Sequence, residues 1–299
     1  MAIIRIGISG WQYEPWRGVF YPKKLPQRSE LEYAARVLPT IEINGSFYSL
    51  QRPESYAKWY AQTPPEFVFT VKGPRYITHM RRLREVEEPL ANFFASGLLN
   101  LREKLGAVLW QCPPGFKYDR ERMETFIKQL PRDFEAARVL GQNHSAWMKD
   151  RVALAIEENR RIRHAIEIRD DSFLDPSFVE LLGEHGIAIV IAETARKWPM
   201  IEDITADFVY MRLHGDKELY RGGYSDKALD GWARRISAWY EGSEPQDARK
   251  ILSSRTPSAA PRDIFCFFDN TDVKLRAPAD AQTLLQKLGI TYAPAKPAA

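Results

Sequence analysis

The chain has 299 residues, 44% of them apolar and 27% charged, with a formal net charge of +4. These are the proportions of a soluble globular protein, and the charge is too small to mark a nucleic-acid binder by itself. No apolar run approaches the roughly 20 residues that span a bilayer, and a strand-like pattern begins at Ile3 with no room for a secretion signal, so a cytoplasmic protein without a membrane partner is expected. The two cysteines, Cys112 and Cys266, each lie in an apolar run. They are too few for a disulfide framework and read as small buried core residues.

In chain order, short β-branched and aromatic runs predict strands at residues 3–9, 40–44, 67–72, 107–111, 164–169, 187–192, 208–213 and 264–269. Several, such as Ile187-Ala-Ile-Val-Ile191, are apolar throughout, as strands buried on both faces should be. Helical patterns fall between them, at residues 30–37, 89–101 and 120–130. Arg52-Pro53 and Ala277-Pro278 open two more, and Asp175-Pro176 sets a capping carboxylate before a proline whose missing N–H costs nothing there. Ser225 caps a helix with Leu229, Trp232, Ile236 and Trp239 on one face. Residues 133–163 read as a helical insertion, residues 242–262 as an exposed, mobile loop, and 293–299 as a flexible tail. Eight alternating units over residues 1–292 predict one α/β domain, a closed (β/α)8 TIM barrel. An open doubly wound sheet is the alternative, but Gly7-Ile-Ser-Gly10 lacks the G-x-G-x-x-G dinucleotide pattern.

In such a barrel the reacting groups come from the C-terminal ends of the strands. Here those ends carry Trp11, Glu42 with Asn44, Lys72, Gln111, Glu167 with Arg169, Arg212 with His214, and Asn270, while Tyr48 and His79 follow in the loops. Residues two apart on a strand share a face. Glu42 and Asn44, Glu167 and Arg169, and Arg212 and His214 therefore form three same-face polar pairs. Both faces of a barrel strand are covered, so these charges must meet one another, a metal or a ligand.

The segments Gly7-Ile-Ser-Gly-Trp11, Trp16-Arg-Gly-Val-Phe-Tyr-Pro22, Glu42-Ile-Asn-Gly-Ser-Phe-Tyr48, Phe67-Val-Phe-Thr-Val-Lys72, Leu109-Trp-Gln-Cys-Pro-Pro114, Glu167-Ile-Arg169 and Arg212-Leu-His-Gly215, in this order along nearly the whole chain, resemble the YecE-like family, domain of unknown function 72. The resemblance implies the barrel and brings no assigned reaction. The chain departs from the common family pattern at Phe173, where a Trp is frequent, at Glu193, where an Asp is usual, and at Phe268-Asp-Asn270 in place of Phe-Asn-Asn.

From the residues themselves, Glu42, Glu167, His214 and Lys72 are expected to be catalytic. Trp11, Asn44, Tyr48, His79, Gln111, Arg169, Arg212 and Asn270 are expected to bind substrate. Two carboxylates suit general acid and base roles, or alternatively a structural ion-pair network with the arginines. The cations suit a small anionic molecule such as a phosphorylated sugar or nucleotide, and hydrolysis and isomerisation are the reactions to expect. Glu42, Glu167, Glu193 and His214 are candidates for a divalent metal site, which the neighbouring cations disfavour. Two other functions fit less well: nucleic-acid binding or processing through the basic loop 75–84, and a ligand sensor without catalysis. The cofactor is left unknown, a divalent metal being possible but not favoured, and oligomeric state leaves no signal.

Overall fold

A computed structural model describes residues 2–220, 222–252, 260–269 and 274–295. Eight strands close into one parallel barrel in sequence order, so the open-sheet alternative is excluded. They are β1 (Ile4–Ser9), β2 (Thr40–Ile43), β3 (Val68–Lys72), β4 (Leu105–Gln111), β5 (His164–Glu167), β6 (Ala188–Glu193), β7 (Phe208–Leu213) and β8 (Asp263–Phe268). All eight lie at the predicted positions, shifted by no more than two residues at either end.

The helices are α1 (Glu30–Val37), the single turn α2 (Gly45–Tyr48), α3 (Pro53–Ala61), α4 (Glu87–Ala95), α5 (Arg120–Gln129), α6 (Phe134–Gly141), α7 (Pro176–Glu184), α8 (Asp226–Tyr240) and α9 (Ala277–Lys287). The capping chemistry acts as predicted: Asp175 accepts from the Ser177 amide and Ser225 from the Ala228 amide. Leu229, Trp232, Ile236 and Trp239 of α8 are all buried. None of the described helices is long and apolar enough to cross a membrane.

Side-chain parity divides the core in two. The larger cluster lies between strands and helices. The smaller, with Val68, Leu109, Val190, Tyr210, Phe265 and Phe267, fills the barrel. Thr70 on β3 lies 2.8 Å from the Tyr210 hydroxyl on β7. These strands are not neighbours, so the contact crosses the lumen. Continuing the same parity upward puts Ser9, Glu42, Lys72, Gln111, Glu167 and Arg212 inside the barrel at its C-terminal rim. Both cysteines are buried and free.

The regular alternation breaks at three places. The helix expected over 89–101 ends at Ala95, because Gly97 adopts φ 98° and a Cβ there would sit 2.4 Å from the Pro53 backbone. The stretch 133–163 is helical only in α6 and one 3-10 segment, kinked at Lys149 (φ 33°). Its remainder is turns and irregular chain, and the Ala153 amide donates to the Ala95 carbonyl. No helix joins β6 to β7; instead, residues 201–205 are buried.

That helix-free connection ties down part of the loop expected to be mobile. Glu202 accepts the Arg249 amide at 2.8 Å, and Asp203 accepts those of Ile251 and Leu252 at 2.7 and 3.1 Å. Residues 253–259 lie outside the described residues. Asp203→Ala is therefore expected to cost about 2 kcal/mol, since two half-buried amides lose a charged acceptor. Hydrogen exchange at Ile251 and Leu252 should speed up while the barrel amides stay protected. Unchanged exchange there would overturn this account of the loop. The tail begins ordered as well, with the Ala295 amide 2.9 Å from Glu66 Oε1; residues 296–299 lie outside the description.

Candidate functional site

The rim is built around one guanidinium. Arg212, at the end of β7, is 1% exposed. Its Nε and Nη2 donate to Glu42 at 2.9–3.2 Å, its Nη1 to Glu167 at 2.8 Å, and its Nη2 also to Asp269 at 3.0 Å. Glu42 further accepts from the Ser9 and Tyr210 hydroxyls at 2.9 and 2.7 Å. Glu167 accepts from Gln111 at 2.7 Å and from Arg169 Nε at 2.8 Å. Both carboxylates are fully buried and every oxygen has a donor. Burial alone would push the pKa of Glu167 up, but Arg212 and Arg169 overcome it and hold the carboxyl well below the usual range. Burial likewise opposes the charge on Arg212, and the surrounding carboxylates more than restore it.

His214 belongs to this buried layer. Arg212 Nη1 lies 3.2 Å from its Nε2, and a guanidinium only donates, so the ring proton is assigned to Nδ1. Nδ1 is 3.1 Å from Asp269 Oδ2 but without hydrogen-bond alignment. Burial, then Arg212, lowers the pKa of His214, so the ring is neutral at pH 7.

Above this layer opens a cleft of about 420 Å³, lined by Asn44, Phe47, Tyr48, Lys72, Arg75, His79, Gln111, Arg169, Arg212, Tyr220 and Asp269. Its volume falls within the range of small-molecule sites. Lys72 is 8% exposed, and its Nζ lies 4.0 Å from the centre of the Phe47 ring. No hydrogen bond or ion pair reaches that Nζ among the described residues. Burial, with Arg212 second, lowers its pKa to about 8. His79 packs edge-on against Phe47, with Nδ1 2.8 Å from the Thr78 hydroxyl. Burial, then Lys72, lowers it to about 4, leaving it neutral. Arg169 lies over Trp198 at 4.0 Å, its Nε bound to Glu167 and its terminal nitrogens without a partner among the described residues. The Asn44 side-chain oxygen is buried and unpaired.

Of the twelve residues expected at the site, seven thus line the cleft: Asn44, Tyr48, Lys72, His79, Gln111, Arg169 and Arg212. Glu42, Glu167 and His214 lie beneath its floor, bound up with Arg212. Trp11 is a correction: it is packed edge-on against Trp59 and tilted against Phe69 in the core and does not line the cleft. Asn270 lies outside the described residues. The cleft also contains Phe47, Arg75, Tyr220 and Asp269, which strand-end parity did not select. Asp269 was the one within reach, because the parity of β8 continues through it.

The four proposed metal donors do not converge. Glu42 and Glu167 turn their oxygens to Arg212, Glu193 accepts the Ala195 amide at 3.0 Å, and no group of three potential ligands exists among the described residues. The loop 75–84 does not offer a row of free cations either. Arg81 pairs with Glu85, and Arg82 donates to the Gly115 carbonyl and lies over Phe116. A wider groove of about 1030 Å³ adjoins the cleft through Phe47, Tyr48 and Arg75. No strand-end charge reaches it, so the inner cleft is the candidate site.

The comparisons with known proteins agree with this architecture. The UPF0759 protein YunF of Bacillus subtilis is 24% identical, over 97% of this chain and 96% of its own length. The UPF0759 protein YecE of Escherichia coli is 23% identical, over 81% of this chain and 84% of its own. Among solved structures, a DUF72 family protein of Thermotoga maritima superposes with a TM-score of 0.69 at 24% identity, covering 96% of this chain and 99% of that one. One from Enterococcus faecalis gives 0.68 at 18% identity, covering 98% and 99%. The family model described as protein of unknown function DUF72 matches residues 5–299, and the chain belongs to that family.

Proposed function

We propose that the cleft is the active site of an enzyme that moves protons on a small anionic molecule, the size of a phosphorylated sugar. The observation that carries this reading is Lys72, a buried amine with no counter-ion, whose pKa of about 8 lets it change its proton near neutral pH. Four cations, Lys72, Arg75, Arg169 and Arg212, face three carboxylates, Glu42, Glu167 and Asp269, so the site has positive charge to spare. Arg169 and Arg75 offer guanidinium nitrogens to a phosphate or carboxylate. Glu42 and Glu167 act as the counter-ions that fix Arg212 and Arg169, not as proton carriers, because giving either a proton would strand a buried guanidinium. With no free carboxylate to activate water, isomerisation by proton transfer fits the geometry better than hydrolysis.

Inorganic phosphate titrated calorimetrically at low ionic strength tests the anion site. It should bind, and Arg75→Ala should weaken binding about tenfold without changing the melting temperature, since Arg75 is an exposed donor. In deuterated water, ribose 5-phosphate should exchange its C2 proton in the presence of the protein. No phosphate binding, or binding indifferent to Arg75, overturns the anion site. Binding without exchange of any phosphosugar overturns the catalytic reading in favour of a sensor.

A further inference from the structure

We infer that Lys72 acts covalently, forming a Schiff base with the carbonyl group of an anionic substrate held between Arg75 and Arg169. The inference rests on the reading just given and assigns the substrate class, a carbonyl compound carrying a phosphate or carboxylate. A Schiff-base amine must sit at the reacting centre, be desolvated, and be free of the salt bridge that would keep it an ammonium. Lys72 meets all three conditions: it lines the cleft, it is 8% exposed, and its Nζ faces the Phe47 ring with no ion-pair partner among the described residues. The charges around it are Glu42 on β2, Glu167 on β5, Arg212 on β7 and Asp269 after β8, with Arg169 beyond β5 and neutral His79 beyond β3 lining the same cleft. Those carboxylates are already engaged by the arginines, which is why none of them captures the amine.

In the covalent step the neutral amine adds its electron pair to the carbonyl carbon, and one N–H proton passes to the carbonyl oxygen. With one further proton from solvent the hydroxyl leaves as water, and the nitrogen pair closes a protonated C=N bond. The products are an iminium on Nζ and one water. That proton comes from solvent, which reaches the open cleft beside Tyr220 and Asp269. The iminium draws electrons from the neighbouring carbon and acidifies its C–H, which is what the proposed isomerisation needs. The backbone after Lys72 runs close against Trp110: a Cβ at Gly73 would fall 2.4 Å from that indole ring.

Reductive trapping with borohydride decides the question, using ribose 5-phosphate as the phosphate probe and pyruvate as the carboxylate probe, with peptide mass mapping of the intact protein. The fall in pKa from 10.5 to about 8 gives about three-hundredfold more free amine at pH 7 than an ordinary lysine has, and lower nucleophilicity takes part of this back. Lys72 should therefore be labelled at least about tenfold faster than exposed lysines, and inorganic phosphate should suppress that labelling alone. Whichever probe labels faster identifies the anionic group. In Lys72→Met and Lys72→Arg the fast label should vanish while surface labelling persists. If phosphate and ribose 5-phosphate compete for the site but no increment appears on Lys72, the covalent inference falls and the anion site stands. If neither binds, both fall. Equal labelling of all lysines also overturns the inference.

Discussion

Arg212→Met is expected to destabilise the barrel by at least about 4 kcal/mol, a fall of roughly 6 °C in melting temperature for a chain this long. The guanidinium is the common partner of Glu42, Glu167 and Asp269, the first two of which have no exposed surface. Removing one partner of a buried pair leaves the other charge uncompensated, and here one substitution strands Glu42 outright and leaves Glu167 with Arg169 alone. At Glu42 only the Ser9 and Tyr210 hydroxyls remain among the described residues, and they cannot neutralise a carboxylate. In the intact protein Glu167 is held well below its usual value of 4.5. A depressed carboxylate contributes stability that is present above its unfolded pKa and is lost only as pH falls through the folded one, so the parent keeps this contribution from pH 7 to pH 5. In the variant the sign reverses. Without Arg212 the burial that pushes the Glu167 carboxyl up is opposed mainly by Arg169, so a penalty appears at neutral pH and is relieved as pH falls toward 5. Thermal unfolding of both proteins should therefore show a gap at pH 7 that narrows at pH 5. Adding Glu42→Gln and Glu167→Gln to Arg212→Met should recover much of the loss, because neutral amides remove the stranded charge. A single variant that melts within about 2 °C of the parent would show that Arg212 is not the keystone of this layer.

The difference between what was and was not legible in the sequence has a physical pattern. Strand positions were legible because β-branched runs buried on both faces have no other stable placement. The inward faces were legible because parity is local: Glu42, Lys72, Glu167 and Arg212 could be aimed into the barrel from their own strands. Who meets whom was not, since the pairing of Arg212 with Glu42 spans β7 and β2 across the lumen. Parity alone could not distinguish a floor of counter-ions from a wall of catalysts. Loop contributions were hidden for a related reason. Arg75, Tyr220 and Phe47 reach the cleft through turns, including the irregular helical turn Tyr76–Met80 and a Tyr220 at φ 59°, whose direction no periodicity encodes. Turn-forming composition between residues 242 and 252 says nothing about acceptors elsewhere, and Glu202 and Asp203 supply them from another connection.

Lys72→Met should abolish turnover, by a factor of 10³ or more as expected for loss of a reacting group, while making the protein more stable at pH 7. A structural lysine would do the opposite, because its loss breaks a pair. The amine is nearly buried, and its pKa falls from 10.5 to about 8 on folding. The folded state therefore binds that proton less tightly than the unfolded chain. Below pH 8 both states are protonated and the folded state carries the full penalty. The penalty fades as pH rises from 8 to 10.5, so the native protein should gain stability across that window. The shift corresponds to about 3 kcal/mol. Methionine has similar length, keeps a favourable contact with the Phe47 ring and carries no charge, so most of that penalty should be returned. The expected result is a melting temperature several degrees above the parent at pH 7, converging on it near pH 10. Lys72→Arg separates charge from chemistry: it keeps a cation that cannot lose its proton, and should be both inactive and less stable than Lys72→Met. A Lys72→Met protein that melts below the parent would return the residue to a structural role. One that melts higher but stays active would move the reactive group elsewhere in the cleft, with His79 the next to test. Stability sacrificed at a position the chemistry requires is the usual signature of a working site, and a Lys72→Met protein that melts higher while losing turnover would carry that signature.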